Sequence, residues 1–277
     1  MDGVSAVMPS LNGLGLLKEH LGRIIEELEG SELVIADDGS TDGTLLEAPP
    51  LFPSVRFLRR DDRPRGFSNA VNDAVSASSG DIVILLNNDI IPDPGAFGLL
   101  ARALREAPPG VWAAVPEVHR EGYGDEGLMR FGFRRGLAVT FRTGPGTVYP
   151  CGACVAFRRT AWQEMKGLDP RFAPLYWEDA DLGARAAARG WTMTRAAGAR
   201  IVHRHASTSG HSMRARRLRE RNRFIFMKVH YSDLASLLRT AAWMPAHLVL
   251  AALRGRFEFH LGLADYLIWR VRRARGG

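Results

Sequence analysis

Four groups of polar residues stand where chemistry could be done. The first is Asn87-Asn88-Asp89, which follows the apolar run Ile82 to Leu86. A carboxylate at the end of such a run is placed to hold a divalent cation against a diphosphate, because hard cations take oxygen ligands. The second is Asp37-Asp38, after Leu33 to Ala36; it joins Pro9, Ser10 and Asn12, which follow Val4 to Met8. A carboxylate there can accept a hydrogen bond from a base imide or a ribose hydroxyl. The third is Glu178, Asp179 and Asp181, directly behind Tyr176-Trp177. Acids beside aromatic walls suit a general base that takes a proton from a sugar hydroxyl. Acids at a helix N-terminus are also stabilised by its dipole, so a structural role stays open. The fourth is His203 and His205, which alternate to one face of an extended chain. Together with Asp89 they favour a metal role for at least one imidazole.

Other polar residues read as structural. Ser40-Thr41-Asp42 suits helix capping, and Asp93 suits an N-cap with Pro94 at the first helical position. Cys151 and Cys154 have C-x-x-C spacing, but there is no second pair and CGACVAF is apolar like a strand, so no redox or zinc role is expected.

The elements that must position these groups alternate. Val4 to Met8, Leu33 to Ala36, Val55 to Leu58 and Ile82 to Leu86 read as strands. Leu14, Leu17, Leu21, Ile24, Ile25 and Leu28 fall at helical spacing, and a second helical pattern runs from about Ser68 to Ser78. This order predicts an α/β fold with a mostly parallel central sheet flanked by helices. Ligands in such sheets bind beyond the carboxyl ends of the strands, where the Asn87–Asp89 and Asp37–Asp38 groups fall. Residues 116–150 read as loops with one or two short strands.

The charge is uneven. The net charge is +7, yet the stretch from His211 onward carries +10 and the residues before it −3. A near-neutral body argues against a specific nucleic-acid partner, and a basic tail suits an anionic surface. The sequence divides accordingly into 1–210, a catalytic domain, and 211–277, a basic, amphipathic helical extension that meets a membrane surface or packs on the body or on a second subunit. Within it the apolar stretch Thr240 to Leu253 holds Pro245 and is too short to span a bilayer. Absent disulfide and signal-peptide patterns make the cytoplasm the expected compartment, with the inner membrane face as the docking site. No G-x-x-x-x-G-K-[ST] or G-x-G-x-x-G occurs, so P-loop and dinucleotide enzymes are poorly supported.

Five segments in order resemble family-2, GT-A-fold glycosyltransferases of the rhamnosyltransferase-like branch: VMPSLN, ELVIADDGSTDGT, RGFSNAVNDAVSASSGDIVILLNNDIIPDP, CGACVAFRR with KGLDPRF and YWEDADLGARAAARGW, and IVHRHASTSG. The resemblance implies an inverting enzyme that moves one sugar from a dTDP- or UDP-linked donor to a saccharide or lipid-linked acceptor, in cell-surface polysaccharide or glycolipid assembly. It implies that Asp37 and Asp38 contact the base and ribose, and that Pro9, Ser10, Asn12, Gly66, Asn72, Asn87 and Asn88 complete the nucleotide-sugar site. Asp89 would hold Mg²⁺ or Mn²⁺, with His203 or else His205 as second ligand. Asp179 would be the base, with Gly152, Ala153, Trp177 and Glu178 on the acceptor side. Asn87 departs from the family, whose metal motif opens with an acid. The Q-x-x-R-W motif of processive synthases is absent. A sugar-1-phosphate nucleotidyltransferase would need a Gly-rich nucleotide loop that PSLNGLGLLK renders poorly. A non-catalytic nucleotide-sugar-binding subunit has Asn87 as its best support.

Overall fold

Strand β1 (Val4–Ser10) is buried on both faces, with Val4, Ala6 and Met8 toward one layer and Val7 toward the other. The computed structural model describes residues 1–60, 64–120, 124–204 and 212–275. Helix α1 (Leu14–Glu27) lays Leu14, Leu17, Leu21 and Ile24 on the first face. After β2 (Glu32–Asp37) come α2 (Thr44–Leu51), β3 (Arg56–Arg59) and α3 (Phe67–Ala77). Helix α3 covers the opposite face with Ala70, Val71, Ala74 and Val75. Strand β4 (Ile82–Leu86) is wholly buried, as its unbroken apolar run requires.

The chain continues through β5 (Ile90–Pro92), α4 (Ala96–Glu106), β6 (Val111–Arg120) and β7 (Gly124–Asp125). Next are β8 (Leu128–Arg134), β9 (Leu137–Phe141), β10 (Thr147–Pro150), β11 (Cys154–Arg158) and α5 (Arg159–Met165). A 3-10 turn at Pro170–Phe172 precedes α6 (Glu178–Ala187) and β12 (Thr192–His203). The central sheet runs β3-β2-β1-β4-β11-β6-β12-β5, with β7 on β6. It is parallel from β3 to β4 and mixed beyond, because β11 lies antiparallel to β4 and to β6. That reversal has a functional effect: it brings the start of β11 beside the end of β4, with Cys154 opposite Leu86.

The stretch 116–150 is more regular than its glycines suggest. Strands β10, β8 and β9 form a second, antiparallel sheet. Its β8–β9 turn places Arg135 and Gly136 at φ of 48° and 72°, the two left-handed positions that a tight hairpin of this hand needs. Asp93 does not cap α4. The helix starts later, behind Gly95 at φ 78°, while the Asp93 N–H donates to the Arg200 carbonyl on β12.

The basic C-terminal segment is three helices, α7 (Met213–His230), α8 (Leu234–Leu253) and α9 (Phe257–Arg275). Phe224, Ile225, Phe226 and Met227 of α7 share one apolar cluster with Phe131, Tyr149, Phe172 and Trp177 of the preceding body. An Arg217–Asp265 ion pair joins α7 to α9. Helix α8 is longer than the sequence suggests. It runs unbroken through Pro245 for 20 residues, is only 6% buried, and is long and apolar enough to cross a membrane by length and composition.

Candidate active site

Three parallel strands end on one edge and deliver the donor-side residues together. Ser10 and Asp37 are register partners at the ends of β1 and β2, and the Asp38 N–H donates to the Ser10 carbonyl at 2.8 Å. Asn88, beyond β4, reaches across to Ser10 with its side-chain amide, 3.3 Å from Oγ. Gly13 allows this approach: a Cβ there would lie 2.5 Å from both Ser10 Oγ and Asn88 Nδ2. Pro9 is half-buried on β1 between these loops and the core.

The two acids after β2 have separate duties. Asp37 is fully buried; its Oδ1 accepts the Gly39 and Ser40 N–H groups at 3.1 and 2.9 Å. Its Oδ2 is buried with no partner among the described residues. Asp38 is committed internally, pairing with the buried Arg60 guanidinium and accepting the Gly66 N–H at 2.7 Å. Asp38 and Gly66 thereby brace the donor edge. Asn72 is also a brace, since its amide both donates to and accepts from the Leu168 backbone at 2.8 and 2.9 Å. Asn12, at φ 51°, latches the first loop to the second by accepting the Thr41 N–H at 2.8 Å. Asp42 accepts the N–H groups of both Leu14 and Thr44, so it serves the starts of α1 and α2 at once.

Asp89 and His203 meet where β5 pairs with the end of β12. Asp89 Oδ1 lies 3.2 Å from His203 Nε2, and both side chains are buried. The Arg204 N–H donates to the Asp89 carbonyl and fixes the crossing. One carboxylate oxygen and one imidazole nitrogen at this distance fit a Mg²⁺ or Mn²⁺ that draws its remaining ligands from a diphosphate and water. No third His, Cys, Asp or Glu joins them among the described residues. His205 lies outside the described residues.

The acceptor side is joined to this edge by a backbone hydrogen bond. The Asn87 N–H donates to the Ala153 carbonyl at 2.9 Å, and the adjacent Gly152 N–H lies near enough to the Asp179 carboxylate to favour its ionised form. Asp179 also accepts the Ala180 N–H at 2.7 Å. Burial raises its carboxyl to about 6, against the pull of those two N–H groups and of Arg219. Glu178 is buried outright, and burial with the neighbouring Asp179 charge holds it well above the ordinary range. Asp181 is structural, bound by Arg185 at 2.8 Å and by His230 of α7 at 2.7 Å. Cys151 and Cys154 are free thiols, both raised by burial, Cys151 to about 12, which suits inert side chains.

Trp177 is an anchor, not an open stacking face. It is 6% exposed, donates its indole N–H to the Arg219 carbonyl at 3.0 Å, and packs on Phe226. Tyr176 and Trp177 both sit at positive φ, 82° and 75°, a conformation that costs bulky residues energy and needs outside support. Asn222 of α7 supplies it, its buried amide donating to the carbonyls of Phe172, Leu175 and Tyr176. Arg219 of the same helix lies over the Tyr176 ring at 4.6 Å. Sequence reasoning missed Asn222 and Arg219, because both fall in a run of arginines that reads as a solvated face.

The comparisons agree with this geometry. Residues 5–165 match the model of the family described as glycosyl transferase family 2. An N-acetylglucosaminyl-diphospho-decaprenol L-rhamnosyltransferase of Mycobacterium tuberculosis is 27% identical over 228 residues, 69% of this chain and 74% of that protein. Among solved structures, GalNAc-T7 with UDP, GalNAc and Mn²⁺ superposes with a TM-score of 0.61 at 18% identity, covering 79% of this chain, which spans 47% of the GalNAc-T7 chain. The mannosyltransferase PcManGT from Pyrobaculum calidifontis, in complex with GDP-Man and Mn²⁺, gives 0.54 at 19% identity over 98% of this chain and 84% of its own. The fold is GT-A.

Proposed function

The chain belongs to glycosyl transferase family 2, and from that premise we propose that it is an inverting enzyme that adds one sugar from a nucleotide-diphospho-sugar to an acceptor hydroxyl. The observation that carries this reading is the joining of the donor edge to the acceptor side: the Asn87 N–H donates to the Ala153 carbonyl at 2.9 Å, and the Asp179 carboxylate lies beside the neighbouring Gly152. Donor-side loop and base are held in one rigid relation, as an in-line displacement needs.

Asp37 Oδ2, buried and unpartnered, is an acceptor for the imide N–H of uracil or thymine, which supports a UDP- or dTDP-linked donor. Ser10, Asn87 and Asn88 offer polar groups along the diphosphate and sugar. A divalent cation held by Asp89 and His203 would neutralise charge on the departing diphosphate. Asp179 takes the acceptor hydroxyl proton; the oxygen bonds to the anomeric carbon as the bond to the diphosphate oxygen breaks, and the nucleoside diphosphate leaves from the opposite face. One displacement inverts the anomeric centre.

The exposed apolar face of α8 and the basic tail support a peripheral place on the cytoplasmic membrane face. The decaprenol in the Mycobacterium relative's name supports a lipid-linked acceptor and a role in cell-surface glycan assembly. The test is calorimetry of a nucleotide-sugar panel with and without Mn²⁺ or Mg²⁺. Metal-dependent binding of one donor, lost in Asp89→Ala and kept in Asp179→Ala, supports the roles. Binding of no donor by folded protein would refute them.

A further inference from the structure

Helix α7 holds Arg219 beside the base at two points. The Trp177 indole donates to the Arg219 main-chain carbonyl at 3.0 Å, and the Arg219 guanidinium lies over the Tyr176 ring, 4.6 Å from its centroid. Tyr176 and Trp177 lead directly into Glu178 and Asp179, so main chain and side chain of Arg219 are both fixed next to the start of α6. Neighbouring charges on α7 are engaged elsewhere. Arg217 pairs with Asp265, Arg221 donates to the Ala173 carbonyl and to Asn222 Oδ1, and Arg223 pairs with Glu220, which Arg256 also reaches. Among the described residues no acid lies within ion-pair distance of Arg219. Its field falls instead on Asp179, of which it is the strongest cationic neighbour. The buried Tyr149 phenol feels both groups, pushed up by Asp179 and pulled down by Arg219, so the two charges flank one small space.

We propose that Arg219 is a positioning residue for the proton step: its guanidinium, held over Tyr176, keeps the Asp179 carboxylate charged and so sets the lowest pH at which sugar is transferred. This role rests on Asp179 being the base. A residue of the helical extension thereby takes part in the chemistry, besides holding the loop. The groups around Asp179 fix the direction of the effect. Glu178 on its own helix with Asp181 behind it, Cys151 before β11 and Tyr149 on β10 carry no positive charge. His230 is engaged with Asp181. Burial opposes the ionised form of Asp179 and Arg219 favours it, so loss of the guanidinium moves the carboxyl further up. An opposite charge at close range is worth about 1–3 units, and the exposure of Arg219 to solvent brings this to about half a unit to one unit.

The test compares the full chain with Arg219→Gln, Arg219→Lys and Arg214→Gln, the last removing an exposed charge from an earlier position on α7. These substitutions leave the carbonyl that holds the Trp177 indole in place. The carbon-13 signal of the Asp179 carboxyl, assigned by its loss in Asp179→Asn, is titrated without substrate. Turnover, read as release of UDP or dTDP from the donor that calorimetry selects, is followed between pH 5 and pH 8.5. In Arg219→Gln the carboxyl midpoint should rise by about half a unit to one unit, and the loss of turnover should be about three- to eightfold greater at pH 5.5 than at pH 8.5. Arg219→Lys should restore most of the wild-type midpoint, and Arg214→Gln should leave it unchanged. An unmoved midpoint in Arg219→Gln, or an equal rise in Arg214→Gln, would overturn the proposal. So would an equal loss of turnover at every pH, which a purely structural role predicts. A midpoint that moves while the pH limb of turnover stays in place refutes Asp179 as the base, and with it the part of Arg219 in the proton step.

Discussion

Replacing Asp179 by Asn should abolish transfer and, at neutral pH, make the protein more stable. The carboxyl titrates near 6 in the folded chain, against 3.8 for an unhindered aspartate. Below about pH 4 both folded and unfolded states carry the proton, so the ionised form costs nothing. Between the two values the unfolded chain releases its proton and the folded one keeps it, so the wild type sheds stability as pH rises. The loss is complete above pH 6 and amounts to about 3 kcal/mol at 1.36 kcal/mol per unit. Asp179 keeps one face open to the cleft, and allowing for solvent there brings the figure to about 2 kcal/mol. Asparagine never ionises and escapes this loss. Urea melts across pH should therefore show the variant gaining about 2 kcal/mol on the wild type between pH 4 and pH 8. In the same range wild-type kcat should climb through a limb near pH 6, and the variant should lose 10²–10⁴-fold in rate, the usual worth of a general base. A stability difference that is flat with pH would refute the burial account. A variant within tenfold of wild-type kcat would refute the base.

Gly183→Ala should destabilise although alanine favours helix, because the new Cβ would lie 2.3 Å from Tyr149 Cβ; the overpacking of 1–3 kcal/mol outweighs about 1 kcal/mol of propensity, read in a urea melt. Gly13→Ala pushes between Ser10 and Asn88 and should raise the donor Kd by roughly tenfold in calorimetry, with little change in Tm. Asn222→Leu strands three buried carbonyls, which should cost at least about 2 kcal/mol and cut kcat while the donor Kd stays put. Leu234→Ser with Leu238→Ser, two exposed residues one turn apart on α8, should weaken vesicle sedimentation and leave the melting temperature within about 1 °C.

The parallel half of the sheet was legible because β1, β2 and β4 are largely apolar, buried runs and α1 and α3 each carry a 3.6-residue stripe. The β8–β10 sheet was not. Strand β8 buries only Phe131 fully and leaves its other residues half-covered or exposed, so neither alternation nor a continuous run marks it. The Asp89–His203 contact and the buried Asp179 lie where residue type at a strand end and a helix start suggested. That Asp38, Asn72 and Gly66 also bond to Arg60, Leu168 and each other is not visible in residue type. Such pairing depends on which loop lies opposite, and local composition does not carry that. For the tail the sequence left membrane contact and packing on the body both open. Phe224 to Met227 of α7 share the apolar cluster of the body, a contact that depends on which surface lies opposite.

The hold of Asn222 on the Phe172–Tyr176 carbonyls has a consequence for the order in which a growing chain becomes competent. The base loop waits for a residue made 46 to 50 positions after it. At 5–20 residues per second that is a delay of roughly 2–10 seconds. Through that interval Tyr176 and Trp177 must hold positive φ without their brace, so chains arrested on the ribosome before α7 emerges should show this loop cut by protease, and released chains should not.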